Sequence, residues 1–262
     1  MIENKEPQKI IGNIPNTKVK YLTLSDIIAS ISFYYNSTNG IGEADDVDSL
    51  INKRISSIGE LLQNQAQVAM IKLNRTSAER LNASMRQVDK ITVKSVTNSK
   101  AFNSQFKSFF NSSQLSQFMD QINPLAEIAN KRRITSLGPK GLNRDTAKFE
   151  VRDVHTTHYG RICPIETPEG PNIGLILNLA TYAKINELGF IQTPFFKVAK
   201  DRTVDYSSPE FLIAQQEHGF TFAQSSIDVL NGKIIGNQIP VRINGDYKVV
   251  SFEEVDYIDV SP

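Results

Sequence analysis

The sequence is poor in the residues that carry most covalent chemistry. Its 262 residues include one cysteine, three histidines and no tryptophan. A single cysteine excludes an internal disulfide and any zinc site built on several thiolates. It suits a reducing, cytoplasmic compartment. The missing tryptophan excludes nothing. No apolar run approaches the ~18 residues of a membrane span, so no membrane partner is expected. The first twenty residues, MIENKEPQKIIGNIPNTKVK, are polar and lack the apolar centre of a secretory signal. Charge of one sign is also scarce: 29 Lys and Arg face 28 Asp and Glu, and bulk charge points to no partner. What is present is an ordinary globular balance, 40% hydrophobic and 22% charged, which argues against disorder. The length allows one large domain or two to three smaller ones.

The patterning predicts an α+β chain, mainly helical to about residue 190 and mainly β after it. Residues 1–20 read as a loop. Ser25 and Asp26 open a short helix through Ile27, Ile28 and Ile31. The stretch 36–49, NSTNGIGEADDVDS, reads as a loop. From Ser56 to about Leu81, apolar residues recur at three- and four-residue intervals (Ile58, Leu61, Leu62, Ala69, Met70, Leu73), the pattern of a core helix. Residues 91–99 alternate weakly, as an edge strand or loop does. Residues 101–129 are helical in pattern, interrupted near Asn123-Pro124, where Pro suits the first turn of a new helix. Gly and Pro are frequent from Pro139 to Gly174, and 173–187 reads as helix again. Beyond Gly189, Asn231-Gly232 and Asn244-Gly245 each separate short apolar runs, which predicts two hairpins with type I′ turns.

Chemistry concentrates between 112 and 174. From Lys131 to Arg161, eight Lys and Arg stand against three acids, Asp145, Glu150 and Asp153. Ser112, Ser113, Gln114, Gln117 and Gln121 precede them. A basic, glycine-containing loop after an amide-rich helix suits a phosphate backbone; a solvated charged face explains the charge equally well. The stretch HYGRICPIETPEGPNIG, 158–174, invites three further readings. Cys163 with His155 or His158 has the composition of a thiol nucleophile and base, although Pro164 follows the cysteine and no orienting third group stands out. Glu166 and Glu169 have the composition of an acid–base pair, with Pro168 between them working against a regular helix turn. His155, His158 and a glutamate are potential metal ligands. The plain alternative is a tight loop whose prolines and glycines fix the backbone while Glu169 and Asn172 face a ligand.

One run settles the choice by resemblance. SSQLSQFMDQINPLAEIANKRRITSLGPKGLNRDTAKFEVRDVHTTHYGRICPIETPEGPNIGLI, 112–176, resembles the fork region of the β subunit of bacterial DNA-directed RNA polymerase. EADDVDSLINKRISSIGELLQNQ, 43–65, is similar to the segment joining that subunit's lobe and protrusion. The likeness continues through TYAKINELGFIQTPFFKV to VDYIDVS at 255–261 and is weakest over 200–250. It implies an internal fragment of a longer chain. The implied parts are the end of the lobe and a connecting loop (1–55), a protrusion segment with a long helix (56–116), the fork and active-centre rim (117–190), and an external β-rich module (191–262).

The resemblance also implies roles. Gln117, Arg133 and Arg144 fall where the family binds the RNA–DNA hybrid, and Ser136–Asp153 corresponds to a fork loop at the downstream edge of the bubble. Pro168, Glu169 and Asn172 fall in a TPEGPN motif at the rim of the active centre. Gln117, Phe118, Asp120, Asn130, Arg133, Thr135, Leu137 and Ile176 fall on the wall of the rifamycin pocket. The family commonly carries His in the slot of Asn130 and Ser in the slot of Thr135. The implied partners are DNA template, nascent RNA, nucleoside triphosphates, the β′, α and ω subunits and a sigma factor. Nucleotidyl transfer needs two divalent metals held by clustered carboxylates. The one acid cluster here, Glu43, Asp45, Asp46 and Asp48, matches no such motif. The resemblance assigns Mg2+ to β′, no metal, cofactor or catalytic residue to this segment, and no activity to the segment alone. Two rival readings remain: a free-standing nucleic-acid-binding module, and a thiol enzyme built on Cys163.

Overall fold

The fold is described from a computed structural model, for residues 24–41, 46–85, 91–139, 141–199, 201–230 and 232–260. The expected loop over 1–20 lies outside them, as do Glu43 and Asp45 of the acid cluster. The chain divides into two units, 1–47 and 48–262. In the first, α1 runs Leu24–Thr38, longer than the periodicity of Ile27, Ile28 and Ile31 suggests.

The second unit begins with two packed helices. α2 spans Ile58–Ser84, close to the sequence expectation, and buries Ala69 completely. α3 (Val93–Val96) corrects the expected edge strand or loop over 91–99. Thr92 and Ser95 close a reciprocal capping box there, and this local hydrogen bonding wins over weak alternation. α4 (Ser99–Ser112) starts on an Asn98 cap and lies on α2, with Gln105 donating to Gln65 at 2.9 Å. The long helical pattern over 101–129 ends at Ser112; 113–123 is irregular, and α5 (Pro124–Lys131) starts afresh. Asn123 caps α5 by accepting from Ala126 N at 2.7 Å, and Pro124 occupies its first turn, as expected.

Strands appear within the helical part. β1 (Arg133–Thr135) pairs antiparallel with β2 (Ile176–Asn178), and α6 is a single turn over Phe149–Arg152. The helix expected over 173–187 is absent, which is a correction. Gly174 has φ +71°, and β2 is bonded on both sides: to β1, and to Ile162 and Cys163 through the Ile162–Leu179 bridge and the Cys163 N–Asn178 O bond of 2.9 Å. The apolar residues that looked helical serve a central strand, because pairing partners far along the chain override local periodicity.

The remaining strands are β3 (Lys184–Ile185), β4 (Ile191–Lys197), β5 (Glu210–Ile213), β6 (Phe222–Ala223), β7 (Val229–Leu230), β8 (Lys233–Ile234), β9 (Ile239–Ile243), β10 (Asp246–Val250) and β11 (Tyr257–Asp259). Seven of them form a mixed sheet in the order β10-β9-β6-β11-β4-β3, with β5 beside β4; β6–β11 is the parallel pair. The helix-then-sheet α+β organisation stands. β9 and β10 meet at Asn244 (φ +49°) and Gly245 (φ +91°), the two positive φ values of a type I′ turn. β7 and β8 form the other expected hairpin; Asn231, in its turn, lies outside the described residues.

Three apolar clusters hold this unit. One packs Val204, Ala223, Ile234, Ile239, Val241, Val255 and Ile258, and a second packs Phe195, Leu212, Phe222 and Tyr257. The third joins Leu50, Ile162, Ala183, Ile191 and Ala214. Ile162 of the proline-rich stretch is therefore core, and its neighbours inherit a fixed backbone. Among the described residues no helix is long and apolar enough to cross a membrane.

Candidate functional site

The basic stretch resolves into two kinds of residue. Arg132 spends its guanidinium on the carbonyls of Ala180, Thr181 and Ala183 at 2.5–3.3 Å. Arg152 does the same for Arg144, Ala147, Pro171 and Ile173. Arg161 is fully buried and donates to the carbonyls of Ile191 (3.1 Å), Leu212 (2.8 Å) and Thr157 (3.4 Å), and to the Glu217 carboxylate. Lys131 pairs with Glu127 on α5. Arg133, Arg144 and Lys148 are different: they are exposed and make no ion pair among the described residues. Three of the eight cations are thus internal scaffolding and Lys131 is spent on a surface pair; among the described residues, which exclude Lys140, those free for an external anion are Arg133, Arg144 and Lys148.

The short ladder gathers several predicted residues. Thr135 stands opposite Ile176, and Arg133 opposite Asn178. Directly opposite side chains on an antiparallel pair are close neighbours, so Thr135 and Ile176 share one patch. Thr135 Oγ1 accepts from Leu137 N at 3.1 Å, and Leu137 itself is buried. Leu115 packs on Gly138, which has φ +128°; a Cβ there would stand 2.9 Å from Leu115 Cδ2. That contact brings the 113–118 segment beside the end of β1. Gln117, Phe118 and Asp120 are exposed, Phe118 fully so, and Asn130 is half-buried on α5.

Beside this ladder the proline-rich stretch makes a rigid turn. Thr167 Oγ1 donates to Ile176 O at 2.9 Å and accepts from Gly174 N at 3.0 Å. Asn178 Nδ2 donates to Glu166 O at 3.2 Å. A 3-10 turn covers Gly170–Asn172, opened by Gly170 at φ +81°. Pro168 and Glu169 project into solvent, while Asn172 Oδ1 is buried with no hydrogen-bond partner. Pro168 to Pro171 therefore forms an exposed, preorganised ridge carrying one carboxylate, and the Asn172 amide oxygen behind it is turned away from solvent.

This geometry does not support the thiol reading. Cys163 is half-buried, and its thiol has no hydrogen-bonded base among the described residues. His158 lines the same depression of about 230 Å3. Burial, with His155 and Lys53 adding to it, lowers its pKa to about 4, making it a weak base at neutral pH. His155 instead accepts from Thr157 N at 3.1 Å and caps a 3-10 turn. Glu166 and Glu169 are not joined as an acid–base pair: the Glu166 carbonyl is tied to Asn178, and Glu169 is solvent-facing. No group of three His, Cys, Asp or Glu side chains suited to a metal is found among the described residues.

A charge network surrounds the buried Arg161, and nothing in the sequence announces it. Glu217 serves both Arg161 and Arg242, the latter at 3.4 Å. Arg242 approaches Asp259 at 3.5 Å and lies over the Tyr159 ring, 4.3 Å from its centre. Tyr159 donates to Asp259 at 2.7 Å. Burial raises the pKa of both Asp259 and Tyr159, and burial lowers that of Arg161 despite its Glu217 partner. The network ties residues 159–161 to the β-rich sheet.

Residues 117–185 match the family described as RNA polymerase Rpb2, domain 3, and residues 195–261 match the RNA polymerase beta subunit external 1 domain. Over all 262 residues the chain is 59% identical to the DNA-directed RNA polymerase subunit beta of Mycoplasmopsis pulmonis and 57% identical to that of Mycoplasmopsis synoviae. Over 256 residues, 97% of the chain, it is 48% identical to the same subunit of Staphylococcus haemolyticus. The chain belongs to the RNA polymerase β-subunit family.

It spans about a fifth of the length of these relatives, 21–22%. The two matched domains of the β family meet inside continuous structure. The first ends at Ile185 in β3 and the second begins at Phe195 in β4, and β3 and β4 are paired. The ladder, the ridge and all three free cations lie in the first. Glu217, Arg242 and Asp259 lie in the second.

Proposed function

We propose that this chain works as part of a DNA-directed RNA polymerase, where it lines the channel of the RNA–DNA hybrid and frames the active centre. The observation that carries the reading is similarity along the whole chain to proteins named as that polymerase's β subunit. The geometry supplies the physical support. Arg133, Arg144 and Lys148 are free cations beside an exposed ridge, the arrangement that phosphate contacts need. Gln117 is exposed nearby as a neutral donor and acceptor. Pro168, Glu169 and Asn172 form the rim, with the Glu169 carboxylate exposed on it.

In this reading residues 1–55 close the lobe, 56–116 belong to the protrusion, 117–190 form the fork and rim, and 191–262 form the external module. DNA template, nascent RNA and nucleoside triphosphates are the ligands. The β′, α and ω subunits and a sigma factor are the partners, in the cytoplasm. Mg2+ is held by β′ in this reading. Rifamycins take the surface of Gln117, Phe118, Asp120, Asn130, Arg133, Thr135, Leu137 and Ile176; Thr135 and Ile176 are neighbours across the ladder. Exposed Phe118, Ile122, Leu125, Phe149 and Ile165 are apolar surface that the remainder of β or β′ covers in the complete enzyme.

A chimera tests this. The chain replaces the corresponding segment of the Staphylococcus haemolyticus subunit, and the assembled enzyme is assayed for template-directed RNA synthesis. Transcription is the expected result. Assembly with all transcription lost would overturn the reading.

A further inference from the structure

We infer that Arg152 is a positioning residue that couples the basic loop 141–152 to the Pro168–Asn172 rim, so that nucleic acid held by the loop fixes the rim. The inference rests on the proposed function above and deepens it. Arg152 draws on two separate stretches of backbone at once. From the loop side it takes Arg144 O at 3.2 Å and Ala147 O at 3.4 Å. From the rim side it takes Pro171 O at 2.7 Å and Ile173 O at 2.9 Å. The two rim carbonyls flank Asn172, and the first loop carbonyl belongs to Arg144 itself.

A planar guanidinium with five fixed donors can hold four carbonyls in one geometry, which a lysine ammonium cannot. The backbones also touch. Gly174 has φ +71°, and a Cβ on it would stand 2.6 Å from Arg152 Cα. The arginine's own main chain therefore lies against the end of the rim. No other described side chain bonds to both 144–147 and 171–173. Arg152 touches no reacting atom; it acts through the backbone of residues that face the ligand.

Hydrogen exchange in the complete polymerase tests the coupling without presupposing catalysis. Thr146 and Ala147 amides, bonded to Asn143 O, report the loop. Ile173 and Leu175 amides, bonded to Gly170 O and Asn172 O, report the rim. Adding a DNA template with a short hybridised RNA is expected to slow exchange about tenfold at both, one decade of local opening. In Arg152→Lys the loop still slows and the rim does not. That variant also raises the apparent KM for nucleotide about fivefold while kcat changes less than twofold, a split that a general folding defect would not give. Slowing at the loop alone in the wild-type enzyme overturns the coupling, as does equal slowing of the rim in Arg152→Lys. Slowing at neither overturns the functional reading and the inference with it. If Arg152→Lys fails to assemble, the wild-type comparison decides.

Discussion

Removing the Arg161 guanidinium should loosen the β-rich sheet more than any surface change can. Arg161→Met keeps most of the apolar stem and deletes the head. Three carbonyls, of Thr157, Ile191 and Leu212, then lose a donor, and Glu217 keeps Arg242 alone, at 3.4 Å. Each net hydrogen bond contributes about 1 kcal/mol, and a buried acceptor left bare costs ~1–3 kcal/mol. Breaking a buried pair by deleting one partner costs roughly 3–5 kcal/mol. These terms overlap, so the expected loss is about 3–5 kcal/mol, a large share of the ~5–15 kcal/mol that holds a domain. The assay is hydrogen exchange in the full-length subunit. Amides of β4 and β11 should exchange on the order of a hundred- to a few thousand-fold faster. Amides of α2, which bury Ala69 against other partners, serve as the internal reference. Glu217→Leu added to Arg161→Met should recover part of the loss, because the stranded carboxylate is gone. A change below about fivefold in β4 and β11 would refute the claim that Arg161 is structural rather than a phosphate ligand.

Arg144→Ala should shorten elongation-complex lifetime in rising salt and flatten the dependence of log lifetime on log salt by roughly 0.7–0.9, one phosphate contact; an unchanged slope removes Arg144 from the nucleic-acid surface. His158 has its pKa lowered to about 4, so the folded chain binds fewer protons than the unfolded chain below the ordinary value of 6.5. The stability this contributes is fully present above pH ~6.5 and is lost as pH falls towards 4, by roughly 1–2 kcal/mol once its partial exposure is allowed for. His158→Asn should flatten that part of an unfolding-against-pH curve, and an unchanged slope would contradict it. Asn130 and Thr135 should weaken rifamycin inhibition by about a hundredfold together, through a lost ring contact and an added methyl of about 1 kcal/mol or more each; equal, tight inhibition of the wild type and of Asn130→His with Thr135→Ser would sink that expectation.

Local signals were legible where the deciding interaction is local. Pro124 in the first turn of a new helix and the Asn244-Gly245 turn each state their geometry within a few residues, and the structure has both. α2 is long enough for its period to be unambiguous. The misreading of 173–187 has the opposite origin: β2 is fixed by β1, some forty residues away, and by Cys163 on its other side. The site was legible in outline and not in its accounting. The sequence shows an excess of Lys and Arg between 131 and 161, but not that Arg132, Arg152 and Arg161 are spent on backbone carbonyls. Which arginines remain for phosphates depends on where the chain's carbonyls end up, a tertiary fact. Glu217, Arg242 and Asp259 were beyond reach for the same reason; their partners Arg161 and Tyr159 are 56 to 100 residues distant.

The most direct test of the account is the position of this segment in a working enzyme. A photoreactive nucleotide at the RNA 3′ end of an assembled elongation complex, followed by peptide mapping, reads it in one experiment. Cross-links should fall on the Pro168–Asn172 ridge, and moving the probe back along the hybrid should shift them to Gln117 and Arg133. Cross-links confined to residues 200–250, or absent from this segment with the 3′ end in the active centre, would contradict it.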